Sequence, residues 1–588
     1  MKPKRLLLDF FRASWYFYLL SMCFHLLSNL VNVFYPKVLG TFTDKLQQGE
    51  LTRDLIVHYS LLLLLIGAGA VLFNGIAMYF IMYVGRKFEF NVRGGLFRHF
   101  TGMGERFYSK NGVGKLLSYF MNDVTAVRES ISMGFNATTN AVMLMLSAIT
   151  MMIVSGIPVY LIAASVLPLL LIPFIVVYLG PIIRKRSMEV QEALGRMTET
   201  AEEQFGGIRV TKKFAVEPIM NERFGKTVEQ IRHHQLRLVR VSSFFQSLIP
   251  FLGTIALIVA LALGGFLTIQ GHISLGNFVA LTLYVRMMMN PLQQIGNVIN
   301  SIQRARASLE RLNTLLSQQQ EIAEKDGAKA VDLSNAGIHI DNLTFAYRPG
   351  SAPVLKDINV HIKPGMTLGI IGRTGSGKTT LMKLLLRTYD AAPGTIRYGD
   401  TDVRDLTLES LRTQVAYVPQ DGFLFSTTIR ENIAFYKRDA ALTDVELAAQ
   451  QAQIYGNIAE LPDRFETRLG ERGLTLSGGQ RQRTSLARGL IKNAPIIILD
   501  DSVSAVDAVT EKDIIASIQK ERHQKTTIII AHRISAIKHA DEIIVLDDGA
   551  IVQRGTHDQL LQQEQGLYAA LHAIQEEGSL HATGTSHS

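Results

Sequence analysis

Six apolar runs decide most of what this chain can become. They cover residues 15–35, 55–84, 131–155, 157–179, 244–269 and 275–295. Each reaches the roughly 20 residues that a bilayer core demands of a helix. Lipid offers nothing to unpaired backbone N–H and C=O groups, so such a run has to be a self-bonded helix. The sequence therefore predicts six membrane-spanning helices. A turn at Gly156 and Pro158 folds the third and fourth into a hairpin. The sixth run is the least apolar and carries Arg286. About 12 residues from Ser274, at 1.5 Å rise each, put Arg286 roughly 18 Å deep. A charge facing lipid there costs at least about 2.5–3.5 kcal/mol. Arg286 is thus expected to face a wet cavity or a polar partner, with Asn29 and Asn32 of the first run, or groups on a partner chain, as candidates.

Orientation follows from positive charge. Lys2, Lys4, Arg5 and Arg12 precede the first run, Arg86, Lys87, Arg93 and Arg98 follow the second, and Arg184, Lys185 and Arg186 follow the fourth. The alternate loops are short and poor in Lys and Arg. Both termini and two long loops, about 85–129 and 181–241, are expected in the cytoplasm of a multi-pass cell-membrane protein. Those loops look helical but lack an apolar face broad enough for a core of their own, so they read as extensions of the membrane helices.

The 588 residues call for more than one domain. A 47% hydrophobic average conceals a split between an apolar first half and an ordinary α/β second half. The net charge of +9 fits loop charge beside a membrane rather than nucleic-acid affinity. The single cysteine, Cys23, excludes an intrachain disulfide framework and a cysteine zinc cluster. The expected division is a membrane domain over 1–320, a linker over 321–337, a soluble α/β domain over 338–575, and a disordered small-and-polar tail over 576–588. Histidines in that tail are better read as solvated than as metal ligands.

The soluble half is organised around Gly372, Arg373, Thr374, Gly375, Ser376, Gly377, Lys378, Thr379 and Thr380. An apolar run, 366–371, precedes them as a buried strand, and helical spacing over 380–389 follows. This is the setting of a phosphate-binding P-loop. Its N–H groups and the helix dipole suit phosphate oxygens. Lys378 can reach the β- and γ-phosphates, and the Thr379 hydroxyl can ligate Mg²⁺. Asp500 closes an apolar strand, 496–500, where it can hold Mg²⁺, and Asp501 follows it. Leu476, Ser477, Gly478, Gly479 and Gln480 open a helix whose exposed N–H groups suit a second phosphate contact. Gln420 follows a strand and can bridge metal and water; His532 ends the strand run 526–531 and can touch a γ-phosphate.

In order and spacing this set resembles the nucleotide-binding domain of an ATP-binding cassette (ABC) transporter. Gly372 to Thr380 match Walker A, Gln420 the Q-loop, Leu476 to Gln480 the signature, Asp500 the end of Walker B, Ser504 to Asp507 the D-loop, and His532 the switch histidine. Tyr347 stands where the family stacks a ring on adenine, and equally suits plain packing. The membrane half resembles the family's exporters, with coupling helices near 109–117 and 214–220. The resemblance implies ATP and Mg²⁺ as cofactors, an ATPase that drives a translocase, and two chains, because one copy of each motif cannot complete a site. It implies a hydrophobic or amphipathic small-molecule cargo, as in multidrug efflux. Lipid or peptide export, or nucleotide gating of another membrane protein, are the alternatives. Arg286 then reads either as a cargo-pathway residue or as a structural pair. The family places Glu directly after the Walker B Asp, whereas this chain has Asp501. That departure resembles the degenerate-site subunit of bacterial heterodimeric multidrug exporters, whose partner half-transporter supplies the Glu.

Overall fold

The computed structural model describes residues 6–584 apart from 349, 471, 472, 474, 475, 505 and 523. The chain divides into two compact units, one of Met1–Gly102 with Ser109–Gln319, the other of Met103–Tyr108 with Gln320–Ser588.

Among the described residues, the first unit has six long helices: Leu6–Gln47, Arg53–Thr101, Val113–Val154, Val159–Gly206, Glu217–Ile269 and Leu275–Leu316. The first five are long and apolar enough to cross a membrane. The sixth has the length but not the composition, because Arg286, Asn290 and Gln294 fall at i, i+4 and i+8 and line an exposed polar stripe. The 49 residues of Arg53–Thr101 span roughly 73 Å, far beyond a core of about 30 Å. The segments just past the apolar runs are thus unbroken continuations of the same helices. Val113–Val154 carries two π-helical turns, Tyr119–Asp123 and Ser130–Gly134. The first turns Asp123 toward the sixth helix, where it accepts from Ser308 Oγ (2.9 Å) and Arg311 Nε (2.9 Å).

Buried polar groups join the helices, as they must where water is excluded. Ser21 Oγ donates to the Ala77 carbonyl (3.0 Å) and Ser28 Oγ to that of Ala70 (2.9 Å). His25 Nε2 lies 2.7 Å from Asn136 Oδ1, and Asn29 Nδ2 donates to Asn140 Oδ1 (3.0 Å). Gly40 and Gly276 let the first and sixth helices touch backbone to backbone: a Cβ on Gly40 would lie 2.5 Å from the Gly276 carbonyl oxygen.

Among the described residues, the second unit holds two sheets. Strands β1 (Ile338–Phe345), β2 (Leu355–Ile362), β4 (Ile396–Tyr398) and β5 (Thr401–Asp402) form an antiparallel sheet in the order β2-β1-β4-β5. Strands β3 (Thr367–Gly372), β6 (Val415–Val418), β7 (Ile496–Asp500), β8 (Thr526–Ile530), β9 (Glu542–Asp547) and β10 (Ala550–Gly555) form a sheet in the order β10-β9-β3-β8-β7-β6. All its pairings are parallel except β9 with β10. Every residue of β7 and β8 is buried, as expected of parallel strands covered on both faces. Alternate side chains feed two cores: Ile497 and Leu499 pack into one, Ile496 and Ile498 into the other.

Two expectations change. Residues 321–337 are not a free linker. Lys329 bridges to Leu406, Val331 N–H donates to Ser410 Oγ, and Leu333 is buried in the sheet's core. The expected disorder from 576 is not met either, since a final helix runs over Leu567–Gly584. Tyr568, fully buried and bonded to His557 Nδ1 (2.7 Å), anchors that helix, which composition alone did not reveal. Residues 585–588 lie outside the described residues.

Candidate functional site

Strand β3 delivers the P-loop and the helix Lys378–Leu385 receives it. Two glycines are demanded by contact. A Cβ on Gly372 would lie 2.0 Å from the Leu546 carbonyl oxygen, and one on Gly377 2.7 Å from Leu355 Cδ2. Arg373, Thr374 and Gly375 form the exposed mouth of the loop. Lys378 is buried, and its Nζ donates to the carbonyls of Gly372 (2.8 Å) and Arg373 (2.9 Å), closing the curl. Burial pushes the Lys378 pKa down, and nearby Asp501 and Asp500 oppose that shift. The Ser376 hydroxyl is buried in the loop with no hydrogen-bond partner among the described residues. A donor held without an acceptor inside a phosphate loop fits an anion seated there.

Asp500 sits at the end of β7, where it is 2% exposed. Thr379 Oγ1 lies 3.4 Å from its Oδ1, and Tyr417 OH donates to its Oδ2 (3.0 Å). Burial pushes the Asp500 carboxyl above the usual range and Asp501 adds to this, while the Tyr417 and Thr379 hydrogen bonds pull the other way. Burial and the neighbouring Asp500 charge likewise push the Tyr417 phenol up.

Asp501 is the most constrained residue of the site. It is buried and adopts the left-handed region with φ 48°, which Asp tolerates better than most residues. Its N–H donates to the Ile530 carbonyl (2.9 Å). Its own carbonyl accepts from Gln482 Nε2 (2.8 Å) and Ser504 Oγ (3.0 Å). Gln420 Nε2 donates to its Oδ2 (3.1 Å). Gln420 is thus brought to Asp501 rather than to the Thr379–Asp500 pair.

The other sequence-derived candidates are placed as follows. Ser477 caps the helix Gly478–Leu490 in a capping box with Gln480, and Ser477 and Gly478 are exposed. Among the described residues, no hydrogen bond joins Leu476, Ser477, Gly478, Gly479 or Gln480 to the P-loop. His532 is exposed just past β8, and its carbonyl accepts from Gln575 Nε2 (2.7 Å). The Tyr347 ring packs against Phe345 and Tyr389, with centroids 5.3 and 5.1 Å away, and its OH lies 2.9 Å from Thr380 Oγ1. Arg286 is exposed on the sixth helix; Asn29, proposed as its partner, is buried and engaged with Asn140. Ala505, inside the D-loop match, lies outside the described residues. Sequence reasoning missed Tyr417 and Gln482. Each lies within three residues of a sequence motif, the Q-loop or the signature, but bonds instead to Asp500 or Asp501, so nothing local marks its role.

Comparison with known proteins decides the family. The description "ABC transporter transmembrane region" matches residues 18–292, and "ABC transporter" matches residues 355–504. A probable multidrug resistance ABC transporter ATP-binding/permease protein of Bacillus subtilis (strain 168), YheI, is 34% identical over 555 residues, covering 94% of each chain. The chain belongs to the ABC transporter family. An ATP-dependent lipid A-core flippase of Syntrophus aciditrophicus (strain SB) is 32% identical, covering 88% of this chain and 84% of the flippase. A solved structure of a bacterial Atm1-family ABC exporter with ATP bound superposes with a TM-score of 0.79 at 25% identity, covering 94% of this chain and 98% of that one. The ABC transporter described here is therefore a half-transporter: a helical membrane domain followed by an α/β ATP-binding cassette. It is an ATPase coupled to transmembrane movement, and the P-loop, Asp500 and Asp501 lie in its cassette.

Proposed function

We propose that this chain is one subunit of a heterodimeric, ATP-driven exporter of amphipathic small molecules. It contributes a slow Walker site and an intact signature. The observation that carries the reading is Asp501. Its carboxylate is one methylene shorter than the Glu of the family pattern. Its backbone is held on both sides, by Ile530 at the N–H and by Gln482 and Ser504 at the carbonyl, so the chain has no slack to move the carboxylate forward. A misplacement of about 1 Å costs on the order of 10²-fold in rate. The exposed Ser477–Gly478 turn, unbonded to its own P-loop, suits service to the partner's nucleotide.

Thr379 and Asp500 fit Mg²⁺, a hard cation that takes one carboxylate and a hydroxyl beside substrate phosphates. Such an ion supplies charge neutralisation on the phosphates. Lys378 brings a cation to the same place. Tyr417 holds Asp500 in orientation, and Asp501 with Gln420 holds the position of an attacking water. Both termini and the cassette are assigned to the cytoplasm by the positive-inside pattern, and Arg286 to the cargo pathway.

Lipid export is the second reading, favoured by the similarity to the lipid A-core flippase. ATPase of the chain purified alone, and with a partner half-transporter bearing Glu after its Walker B Asp, tests the proposal. Robust turnover by the chain alone, abolished by Asp501→Asn, would overturn it. Stimulation of the complex by drugs rather than by lipids separates the two cargo readings.

A further inference from the structure

A cavity of about 510 Å³ opens at the foot of the six-stranded sheet. It lies where β3 and β8 begin, whereas the P-loop, Asp500 and His532 lie where the parallel strands end. Ile515, Ile518 and Ile529 make an apolar floor; Gln519, His539 and Arg522 make a polar rim. The volume falls in the range of small-molecule sites, and the lining is more polar than apolar, which suits a polar or charged ligand.

Arg522 sets the chemistry. It is 7% exposed, yet no carboxylate pairs with it among the described residues. Its Nη2 donates to the carbonyls of Ala494 (2.8 Å) and Pro495 (3.4 Å). Its buried Nε–H has no acceptor among the described residues. Burial pushes its pKa down to about 10, the mark of a desolvated cation. Buried charges are normally paired, and an unpaired one is costly. Asp541 is on the rim, but its Oδ2 already accepts from Thr367 N–H (2.7 Å). The rim also holds a strained corner. Gln524 has φ 72°, and its carbonyl oxygen lies 3.1 Å from where a Cβ on Gly365 would be. Such conformations recur at ligand clamps.

We propose that this cavity binds a small organic carboxylate, its apolar body on the isoleucine floor and its anion beside Arg522, and that its occupancy is coupled to the nucleotide site. With Nη2 held by the Ala494 and Pro495 carbonyls and Nε buried, Nη1 is the nitrogen left to give a carboxylate a charge-assisted hydrogen bond. The coupling follows from which elements line the cavity. Thr367 opens β3, which ends at Gly372; Thr527 and Ile529 lie on β8, which leads to His532. Ile515 and Ile518 lie on the helix Ala508–Glu521, whose N-cap is Asp507. A ligand that fixes these elements at one end biases their other ends, and by linkage nucleotide biases the ligand equally.

The test uses the full chain in phosphatidylcholine nanodiscs, with 4-fluorobenzoate as the probe and 4-fluorobenzyl alcohol reporting partition into lipid, both followed by fluorine NMR. Saturable binding of the carboxylate alone is expected. Arg522→Gln should weaken it by about tenfold or more, the value of a charge-assisted hydrogen bond. Gln519→Trp, at an exposed position over the mouth, should weaken it similarly without disturbing the fold, and carries the test if Arg522→Gln does not fold. Saturation with the probe should shift the affinity for a fluorescent ATP analogue by roughly threefold or more, a shift absent in Gln519→Trp. Partitioning no different from the alcohol, or binding unchanged in Gln519→Trp, overturns the site. Saturable binding with no shift in nucleotide affinity overturns the coupling.

Discussion

Replacing Asp501 with Glu tests the central reasoning most directly. The change moves the carboxylate forward by about 1.5 Å, one C–C bond. Gln420, which is exposed, is the neighbour that has to yield, since its Nε2 now lies 3.1 Å from Asp501 Oδ2. If the wild-type deficit is a displacement of about 1 Å, restoring reach returns on the order of 10²-fold in rate, or about 2.7 kcal/mol of barrier. One cost opposes this. Position 501 holds φ 48°, and a longer side chain there costs roughly 1 kcal/mol more than Asp. The bonds to Ile530, Gln482 and Ser504 hold the backbone in place, so that cost falls on stability rather than on the barrier. It should appear as a Tm lower by roughly 2–4 °C. We expect phosphate release by the purified chain alone to rise between about tenfold and a hundredfold, with Asp501→Asn as the inactive baseline. An Asp501→Glu variant no faster than wild type, with the Tm shift confirming the strained backbone is retained, would refute the claim that carboxylate reach limits this site.

Four further outcomes follow from the geometry. Lys378→Ala removes the cation aimed at the phosphates and should weaken ATP binding by about tenfold or more, while circular dichroism shows the helical content unchanged. Asp500 has a raised pKa and must be ionised to hold a cation, so Mg²⁺-nucleotide affinity should fall as pH drops through that raised value. Tyr417→Phe removes a bond that favours the ionised form, so the fall should start at higher pH; a titration of nucleotide affinity from pH 8 to 5 reads it. The same raised pKa means that the folded cassette binds the proton more tightly than the unfolded chain, so between the ordinary and raised values stability declines as pH rises. Asp500→Asn should flatten that slope in a thermal-unfolding series. Arg286→Ala should change the relative export rates of different drugs while basal ATPase of the complex holds; unchanged ratios across the panel would rule out the cargo-pathway role.

The parts of this protein that were legible in the sequence are those where one physical constraint acts alone. Lipid demands long self-bonded helices, and the apolar runs announce them. Parallel strands covered on both faces demand an unbroken apolar run, and residues 496–499 show one. A phosphate loop demands glycines at fixed offsets from a Lys. Legibility failed where two demands compete or where a partner is distant in sequence. The sixth helix has the length of a span but carries an exposed polar stripe, and hydropathy leaves it out of the five that are apolar enough to cross a membrane. Tyr417 and Gln482 reach Asp500 and Asp501 across 83 and 19 residues, and nothing local marks those partners. The segment 321–337 is polar enough to look like a tether, yet Leu333 is enough to pin it to the core. Asn29 stood as a candidate neighbour of Arg286, while its amide turns toward Asn140.

The alternation along β7 carries a consequence for how this protein fails. Ile496 and Ile498 belong to one core, Ile497 and Leu499 to the other, and Asp500 is the next step of the same count. Parity therefore sets both the packing and the position of the cation-holding carboxylate. Inserting or deleting one residue upstream in the strand exchanges the two cores and turns Asp500 to the wrong side together. No intermediate remains in which the cassette is well folded but its carboxylate is misaimed. Errors in this strand should thus reach the cell as unfolded protein, visible to proteases, rather than as an intact pump that holds ATP and stalls.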